Sequence, residues 1–296
     1  MRRWPDGKTV ALGLMVPWER WPDDLGTSRS HQRSNKRPLP AGARYDRDMS
    51  VIFDHLYAER QGVKRLLNLF DDHGVKATFV INGQRVEESP ELAKEVQSRG
   101  HDMGSENYVH EYAVMYDEAG ERESLQRTVD AFQQVLGQPP TGYISPGHRM
   151  SPNTVPLGMD LGFRWNADFQ LDEVPIIVRD GDRRIVGMPY AHLSDYQTYS
   201  NAGRTPRQVL EMLRDELHSL RRDGLRGDPK MMGLALHPFI CRGFRMEMVH
   251  DFLTEAERLG DVWVTTRSEI CDWTLENEAD HESMTLEQFQ ALFPTD

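Results

Sequence analysis

Short apolar segments rich in β-branched residues alternate with segments of helical periodicity along most of this chain. The segments at residues 9–16, 77–81 and 262–265 have the length and composition of buried strands. Between the first two, apolar residues recur at helical spacing over residues 63–70, and Gly74 follows where a left-handed helix cap is needed. This alternation predicts βα units arranged around a mostly parallel sheet.

The same pattern continues through the rest of the sequence. Further strands are predicted at residues 103–105, 143–145, 163–167, 174–178, 183–189 and 232–236, and further helices at residues 89–100, 125–137, 152–162, 205–220 and 246–259. Roughly seven or eight mostly parallel strands separated by helices predict an α/β fold, a single irregular (β/α) barrel. The length of 296 residues suits that architecture.

Two segments fall outside this pattern. Residues 19–49 form a long polar stretch with basic residues among prolines and glycines, and we predict a loop inserted into a barrel domain of residues 1–275. Residues 276–296 form an acidic tail, in which apolar residues share one helical face over residues 286–292. We predict that this tail docks on the domain or on a partner subunit.

The charge balance disfavours nucleic acid as a partner. Lysine and arginine number 35 against 47 aspartate and glutamate residues, so the formal charge of −12 has the wrong sign for neutralising phosphates. Cys241 and Cys271 have neither zinc-ligand nor disulfide-framework spacing and are expected to be buried thiols. The apolar run at residues 10–16 is too short for a membrane span and lacks a cleavage site, which predicts a cytoplasmic protein without a membrane partner.

Reactive side chains follow several of the predicted strands. In a (β/α) barrel the active site lies at the carboxyl ends of the strands, so these side chains are expected to converge on one rim. They are Trp18 and Glu19 after the first strand, Glu106 and His110 after the third, His148 and Arg149 after the fourth, Asp168 after the fifth, Asp195 after the strand pair and His237 after the next strand. We expect Glu19, His148 and Asp195, with the neighbouring Pro146, to contact the substrate.

One of these segments carries a family resemblance. Residues 100–110 read GHDMGSENYVH and resemble the second motif of the polysaccharide deacetylase superfamily, also called the NodB-homology or carbohydrate esterase 4 fold. In that motif two histidines four residues apart hold a metal. Here Glu106 stands at the first position and His110 at the second.

Other segments resemble the same superfamily in order and spacing. Residues 77–80 and 142–147 resemble further motifs, and the Leu-His-Pro sequence at residues 236–238 resembles a late motif whose histidine, here His237, assists catalysis as an acid. Within the superfamily the similarity is closest to the group of PuuE-type allantoinases, cyclic imidases and peptidoglycan-deacetylase-like proteins. That similarity lies in residues 57–67, 151–154, 189–196 and 262–265.

The chain also departs from the family pattern. The first family motif ends its strand with two aspartates, a base and a metal ligand, whereas residues 15–19 here read MVPWE. One interpretation is a rebuilt zinc site. On a helical turn Glu106 and His110 would face the same way, and a third ligand would come from Glu19 or His237.

The other interpretation is hydrolysis without a metal, as the resemblance to the allantoinase group implies. Glu106 would activate water, with its pKa raised by burial or held low by nearby histidines, and His237 would protonate the leaving nitrogen. Backbone amides between Pro146 and Arg149 are candidate donors to the oxyanion. No cofactor is firmly implied in this case.

Arginines and aromatic residues near the rim are candidates for substrate binding. Arg149, Arg242 and Arg245 have forked donors that suit an anionic or imide-like substrate, although surface arginines often remain solvated. Trp18 stands at the predicted end of the first strand, which favours an apolar wall at the mouth of the site over a place in the core.

These observations together predict a hydrolase of non-peptide carbon–nitrogen bonds in a small cyclic amide, imide or ureide, acting without a metal. The alternatives are a metal-dependent carbohydrate N-deacetylase of the peptidoglycan type and a binding protein that retains the barrel without the chemistry. The resemblance to the allantoinase group also implies a homo-oligomer, with a tetramer suspected.

Overall fold

The structure is a computed structural model that describes residues 3–21, 44, 49–191 and 193–293. Most of the predicted loop at residues 19–49 therefore lies outside the described residues. The strands are β1 (Val10–Trp18), β2 (Thr78–Ile81), β3 (Asp102–Ser105), β4 (Gly142–Tyr143), β5 (Trp165–Asn166), β6 (Ile176–Asp180), β7 (Arg183–Gly187), β8 (Lys230–Ala235), β9 (Val262–Thr265) and β10 (Ser283–Thr285).

Helices connect most of these strands, as the periodicity predicted. They are α1 (Met49–Tyr57), α2 (Val63–Asp72), α3 (Gly83–Glu88), α4 (Pro90–Ser98), α5 (Glu118–Leu136), α6 (Thr154–Asp160), α7 (Pro206–Leu225), α8 (Gly243–Leu259), α9 (Arg267–Glu276) and α10 (Leu286–Gln290). In the described part of the chain, none of them is both long enough and apolar enough to cross a membrane.

Strand β1 is the centre of the sheet. Its first half pairs with β8 and β9, and its second half pairs with β2. From β2 the sheet runs through β3, β4, β5, β7 and β6 to β10, and among these described strands only the β6–β7 hairpin is antiparallel. The predicted α/β class with mostly parallel strands is confirmed, and the ten strands form an unclosed sheet.

Residues of β1 alternate between two apolar layers. Leu12, Leu14 and Trp18 belong to the cluster formed with α2, α7 and α8, whereas Ala11 and Met15 belong to the cluster on the other side of the sheet. A parallel strand that is covered on both faces is expected to be apolar throughout, which explains the continuous apolar run in the sequence.

Helix α9 was not predicted because a buried arginine interrupts its apolar pattern. Arg267 is fully buried, and its guanidinium donates to the carbonyl oxygens of Pro189 and Tyr190. The helix begins at a capping box in which Thr266 and Glu269 exchange side-chain and backbone hydrogen bonds. Arg267 thereby ties α9 to the backbone of Pro189 and Tyr190.

The acidic tail packs on the sheet of its own chain. Strand β10 pairs in parallel with β6, and α10 places Phe289 against Phe169, with ring centroids 5.4 Å apart. Leu292 does not share the predicted apolar face, because its side chain is 57% exposed. Phe293 contacts Phe289 instead.

Gly233 in β8 has no room for a side chain. A Cβ atom at this position would lie 1.9 Å from the carbonyl oxygen of Tyr190. We therefore expect Gly233→Ala to lower the free energy of unfolding by about 1–3 kcal/mol, since the backbone would have to move. Urea denaturation measures the effect, with Gly243→Ala as a control because its Cβ would meet only atoms of Arg65 at 3.8 Å or more. Equal stability of Gly233→Ala and wild type would contradict the prediction.

Candidate active site

A cavity of ≈ 180 Å³ opens at the carboxyl ends of the central strands. Five of the side chains singled out from the sequence line it together: Glu19, Glu106, His110, His148 and His237. They follow β1, β3, β4 and β8, and they meet because the carboxyl ends of parallel strands share one edge of the sheet.

Asp195 and Glu19 hold His237 from two sides. His237 Nδ1 lies 2.6 Å from Oδ1 of Asp195, and the His237 backbone N–H donates to Oδ2 at 2.7 Å. His237 Nε2 lies 3.4 Å from Oε1 of Glu19. Because Nδ1 is engaged with Asp195, Nε2 is the nitrogen available to exchange a proton with a bound molecule.

The pKa values of these groups follow from that arrangement. Burial opposes charge on His237, but the carboxylates of Asp195 and Glu19 outweigh it and raise the pKa of His237 to about 10. Burial also acts to raise the pKa of Glu19, but the charges of His237 and His110 lower it overall. Near neutral pH, His237 is therefore an imidazolium that is paired with buried carboxylates.

Glu106 has a different environment from Glu19. Its side chain is almost fully buried, and Oε2 has no hydrogen-bond partner in the described part of the chain. Burial, followed by the charge of Glu19, raises the pKa of Glu106 well above its usual range. A carboxyl group whose pKa is raised takes up a proton more readily than a free carboxylate, which suits a general base.

His110 reaches the cavity from an irregular segment after β3, so Glu106 and His110 are brought together without the helical turn that the rebuilt zinc site assumed. Its backbone N–H donates to the carbonyl oxygen of Arg20 at 3.1 Å, which holds the segment against the end of β1. His110 Nε2 lies 3.6 Å from Oε1 of Glu19, and burial lowers the pKa of the imidazole.

Three of these side chains fit a divalent cation. Ligand atoms of Glu19, Glu106 and His110 all lie within 4.8 Å of one another. Glu19 Oε2, Glu106 Oε2 and His110 Nδ1 are buried and have no hydrogen-bond partner among the described residues. Two carboxylates and one imidazole are a suitable donor set for a catalytic zinc ion. Glu19 supplies the third donor for which the sequence left two choices.

The aromatic wall comes from a different tryptophan than the one predicted. Trp18 is 1% exposed and packs in the apolar layer beneath the helices, so it does not line the cavity. Strand β1 extends through Trp18, two residues further than predicted, which keeps this side chain in the core. Trp21 lines the cavity instead and packs against His110, with ring centroids 5.6 Å apart.

The three candidate arginines lie outside the cavity lining. Arg149 is exposed and lies over the ring of Tyr112 at 5.0 Å. Arg242 lies over the ring of Tyr57 at 3.5 Å. Arg245 lies over Tyr199 at 4.3 Å. Cation–π contacts with aromatic rings thus account for all three guanidinium groups, and we no longer expect them to bind substrate.

Two further predicted residues support the cavity without lining it. Pro146 is buried beside Gly147, which does line the cavity. Asp195 acts through His237, as described above. The sequence did not single out Tyr190 and Tyr196 as cavity residues. The sequence indicated them only indirectly, because both lie in the 189–196 segment that carries the family resemblance and contains Asp195.

Replacing Asp195 by asparagine is expected to lower the pKa of His237 from about 10 toward its usual value of 6.5, because one of two neighbouring charges is removed. Because folding raises the pKa of His237, its protonation stabilises the folded state. This stabilisation is fully present below pH 6.5 and is lost as the pH rises to about 10. The unfolding free energy of wild type should therefore fall over that range, and the fall should be smaller in Asp195→Asn. Urea denaturation at stepped pH tests this, and identical pH dependences would contradict it.

The candidate active site lies where carboxylates and histidines gather at the carboxyl ends of a mostly parallel sheet. This is the place of the active site in (β/α) barrel enzymes. The sequence profile of the polysaccharide deacetylase family matches residues 41–165, which include β2, β3, β4, Glu106 and His110. The resemblance to this superfamily is thereby confirmed over residues 41–165.

Individual relatives show the same resemblance. A peptidoglycan deacetylase from Helicobacter pylori is 30% identical over 128 residues, which are 43% of this chain and 44% of that protein, less than half its length. The structure of a protein from Mycobacterium smegmatis assigned to the polysaccharide deacetylases has a TM-score of 0.80, 28% identity and 96% coverage of both chains. PuuE allantoinase has a TM-score of 0.82, 24% identity and 92% coverage of both chains, which establishes the shared fold.

Proposed function

We propose that this protein hydrolyses a carbon–nitrogen bond in a small cyclic amide, imide or ureide. The observation that carries the proposal is the cavity of ≈ 180 Å³ that brings the buried carboxyl group of Glu106 and the imidazolium of His237 together. A cavity of roughly 150 Å³ holds one benzene molecule, so this space suits a single small ring.

The comparisons support the general class of reaction. The family match and the deacetylase relatives favour hydrolysis of a carbon–nitrogen bond, and the fold shared with an allantoinase is consistent with a cyclic substrate. That the substrate is a small cyclic amide, imide or ureide is our proposal. A homo-oligomeric state and a cytoplasmic location, both expected from the sequence, remain predictions.

The chemistry starts at Glu106. Its carboxylate accepts a proton from water, and the resulting hydroxide attacks the carbonyl carbon of the ring. Gly147 lines the cavity, and no acceptor for its backbone N–H is found among the described residues, so this N–H is the candidate donor to the oxyanion. His237 then donates the Nε2 proton to the leaving nitrogen as the carbon–nitrogen bond breaks. The products are a carboxylic acid and a free amine or amide on one opened chain.

Glu19 and Asp195 prepare His237 for this step. Their charges keep the imidazole protonated near neutral pH, since they raise its pKa to about 10. The imidazolium also neutralises part of the negative charge that Glu19 and Glu106 place in the cavity. The site therefore contains its own positive charge at the position where the leaving nitrogen must be protonated.

A second candidate function is metal-dependent N-deacetylation of a carbohydrate, which is favoured by the cluster of Glu19, Glu106 and His110. A divalent cation bound to these residues would polarise the substrate carbonyl and lower the pKa of a bound water. In this case His237 would still donate the proton to the leaving nitrogen. The two candidates differ in their need for metal and in the size of their substrates.

Metal content separates the two candidates. We expect far less than one divalent ion per chain after dialysis against a chelator, with full activity toward a cyclic substrate, because the imidazolium of His237 lies 3.4 Å from Glu19 and repels a cation. Elemental analysis and kinetics before and after chelation measure this. A stoichiometric metal whose removal abolishes turnover and whose return restores it would contradict metal-free hydrolysis.

A substrate panel tests the proposed function itself. Hydantoin, dihydrouracil, succinimide, glutarimide and allantoin are compared with N-acetylglucosamine oligomers. Opening of at least one ring without release of acetate from the oligomers is the expected result. Acetate release alone would favour the second candidate.

A further inference from the structure

His148 has a backbone conformation that is uncommon for residues other than glycine. Its φ is +56°, and Gly147 before it has φ +64°, so two successive residues are left-handed. Glycine adopts this region readily, whereas a residue with a Cβ atom is strained there. Strained residues cluster at functional sites, where the surrounding structure holds them in place. His148 lines the cavity, but the hydrolysis described above does not use its side chain.

Two neighbours fix the orientation of the His148 ring. The ring packs against Tyr190, with centroids 4.3 Å apart. His148 Nδ1 lies 3.7 Å from Oδ1 of Asp168. That carboxylate is itself held by the backbone N–H and hydroxyl of Ser145 and by the side-chain amide of Asn166. Asp168 is therefore a fixed negative charge beside Nδ1.

This placement decides which ring nitrogen carries the proton in the neutral imidazole. Nδ1 is buried and has no hydrogen-bond partner in the described part of the chain, and the Asp168 carboxylate is the charge beside it. A nearby carboxylate favours the tautomer with its proton on Nδ1. Nε2 then carries a lone pair, and because Nδ1 is buried beside Asp168, we infer that Nε2 is the nitrogen that a molecule in the cavity can reach.

We propose that His148 Nε2 accepts a hydrogen bond from a ring N–H of the substrate, so that the site selects cyclic ureides and amides with a free N–H. This inference rests on the proposed function, because it concerns the ring that the cavity would hold. His237 is a donor at neutral pH and cannot accept such a bond. A substrate whose N–H is buried without an acceptor binds poorly. A substrate with an N-methyl group in place of that N–H cannot donate the hydrogen bond at all.

Binding of hydantoin and its two monomethyl derivatives tests the proposal. Isothermal titration calorimetry measures the affinities of two proteins. One carries Glu106→Gln, which suppresses turnover, and the other carries both Glu106→Gln and His148→Gly. Glycine tolerates the left-handed backbone, so this change removes the imidazole without adding strain. His148→Asn is a second variant, since asparagine also tolerates this conformation.

With His148 present, at least one monomethyl hydantoin is expected to bind about 10–100-fold more weakly than hydantoin. Without His148 the difference should fall below about threefold, while the control Gln197→Ala, at another residue lining the cavity, should retain it. Equal affinities with His148 present, discrimination that persists without it, or no binding of any of the three would overturn the proposal. Selective binding by a wild type that opens no ring would instead disprove the hydrolysis and leave this recognition standing.

Discussion

Replacing Glu106 by glutamine is expected to lower kcat for ring opening by ~10²–10⁴-fold, the usual contribution of a general base. Glutamine has nearly the same shape but cannot accept the proton from water. Its amide is neutral, so it also removes the buried charge that Glu19 disfavours at this position. We therefore expect the variant to be at least as stable as wild type, with little change in KM. Steady-state kinetics and urea denaturation measure these effects.

Glu87→Gln provides the matched control for this substitution. Glu87 is exposed outside the cavity, where its carboxylate accepts a hydrogen bond from the Tyr108 hydroxyl at 2.6 Å. Activity should be unchanged in this control. If Glu106→Gln kept more than about a tenth of wild-type kcat, Glu106 would not be the base.

Replacing His237 by glutamine is expected to lower kcat by a similar ~10²–10⁴-fold, because the leaving nitrogen loses its proton donor. The size of the loss should depend on the substrate. An imide nitrogen leaves readily as an anion and needs the acid less, whereas a simple amide nitrogen needs it more. The loss should therefore be larger for a lactam such as 2-pyrrolidinone than for succinimide, which has the same ring size, and kinetics on both substrates measure this.

His218→Gln is the control for this change. His218 is half-buried on α7, where its ring contacts Glu255 at 2.8 Å, outside the cavity. It should keep wild-type activity on both substrates. A loss in His237→Gln that is the same for good and poor leaving groups would mean that His237 positions the substrate without protonating it.

Much of the fold could be predicted from the sequence because the repeated pattern of apolar strands and amphipathic helices is strong. Strand β9 was predicted at its observed bounds, Val262–Thr265. Helix α9 was missed because Arg267, a residue type normally exposed, is buried there and bonds to backbone carbonyls. Strand β10 was missed because only three residues form it and two of them are exposed.

The polar part of the site could also be predicted, since strand ends determine it. Glu19, Glu106 and His237 share one cavity because each follows a parallel strand of the same sheet. Strand ends do not predict where a side chain lies if its position depends on the exact end of a strand or if the side chain is long and flexible. Trp18 lies on the same face of β1 as Leu14, so it is buried, and the stacking of Arg242 on Tyr57 has no signal in the sequence.

The central claim is that the chelated protein opens a small ring with water, using Glu106 and His237. Reaction in ¹⁸O-labelled water, followed by mass spectrometry of the product, tests this claim most directly. The account predicts one ¹⁸O atom in the new carboxyl group with the metal-free wild type, and no product above background with Glu106→Gln. It would be contradicted if ring opening required added metal, or if the only labelled product across the panel were acetate released from N-acetylated sugars.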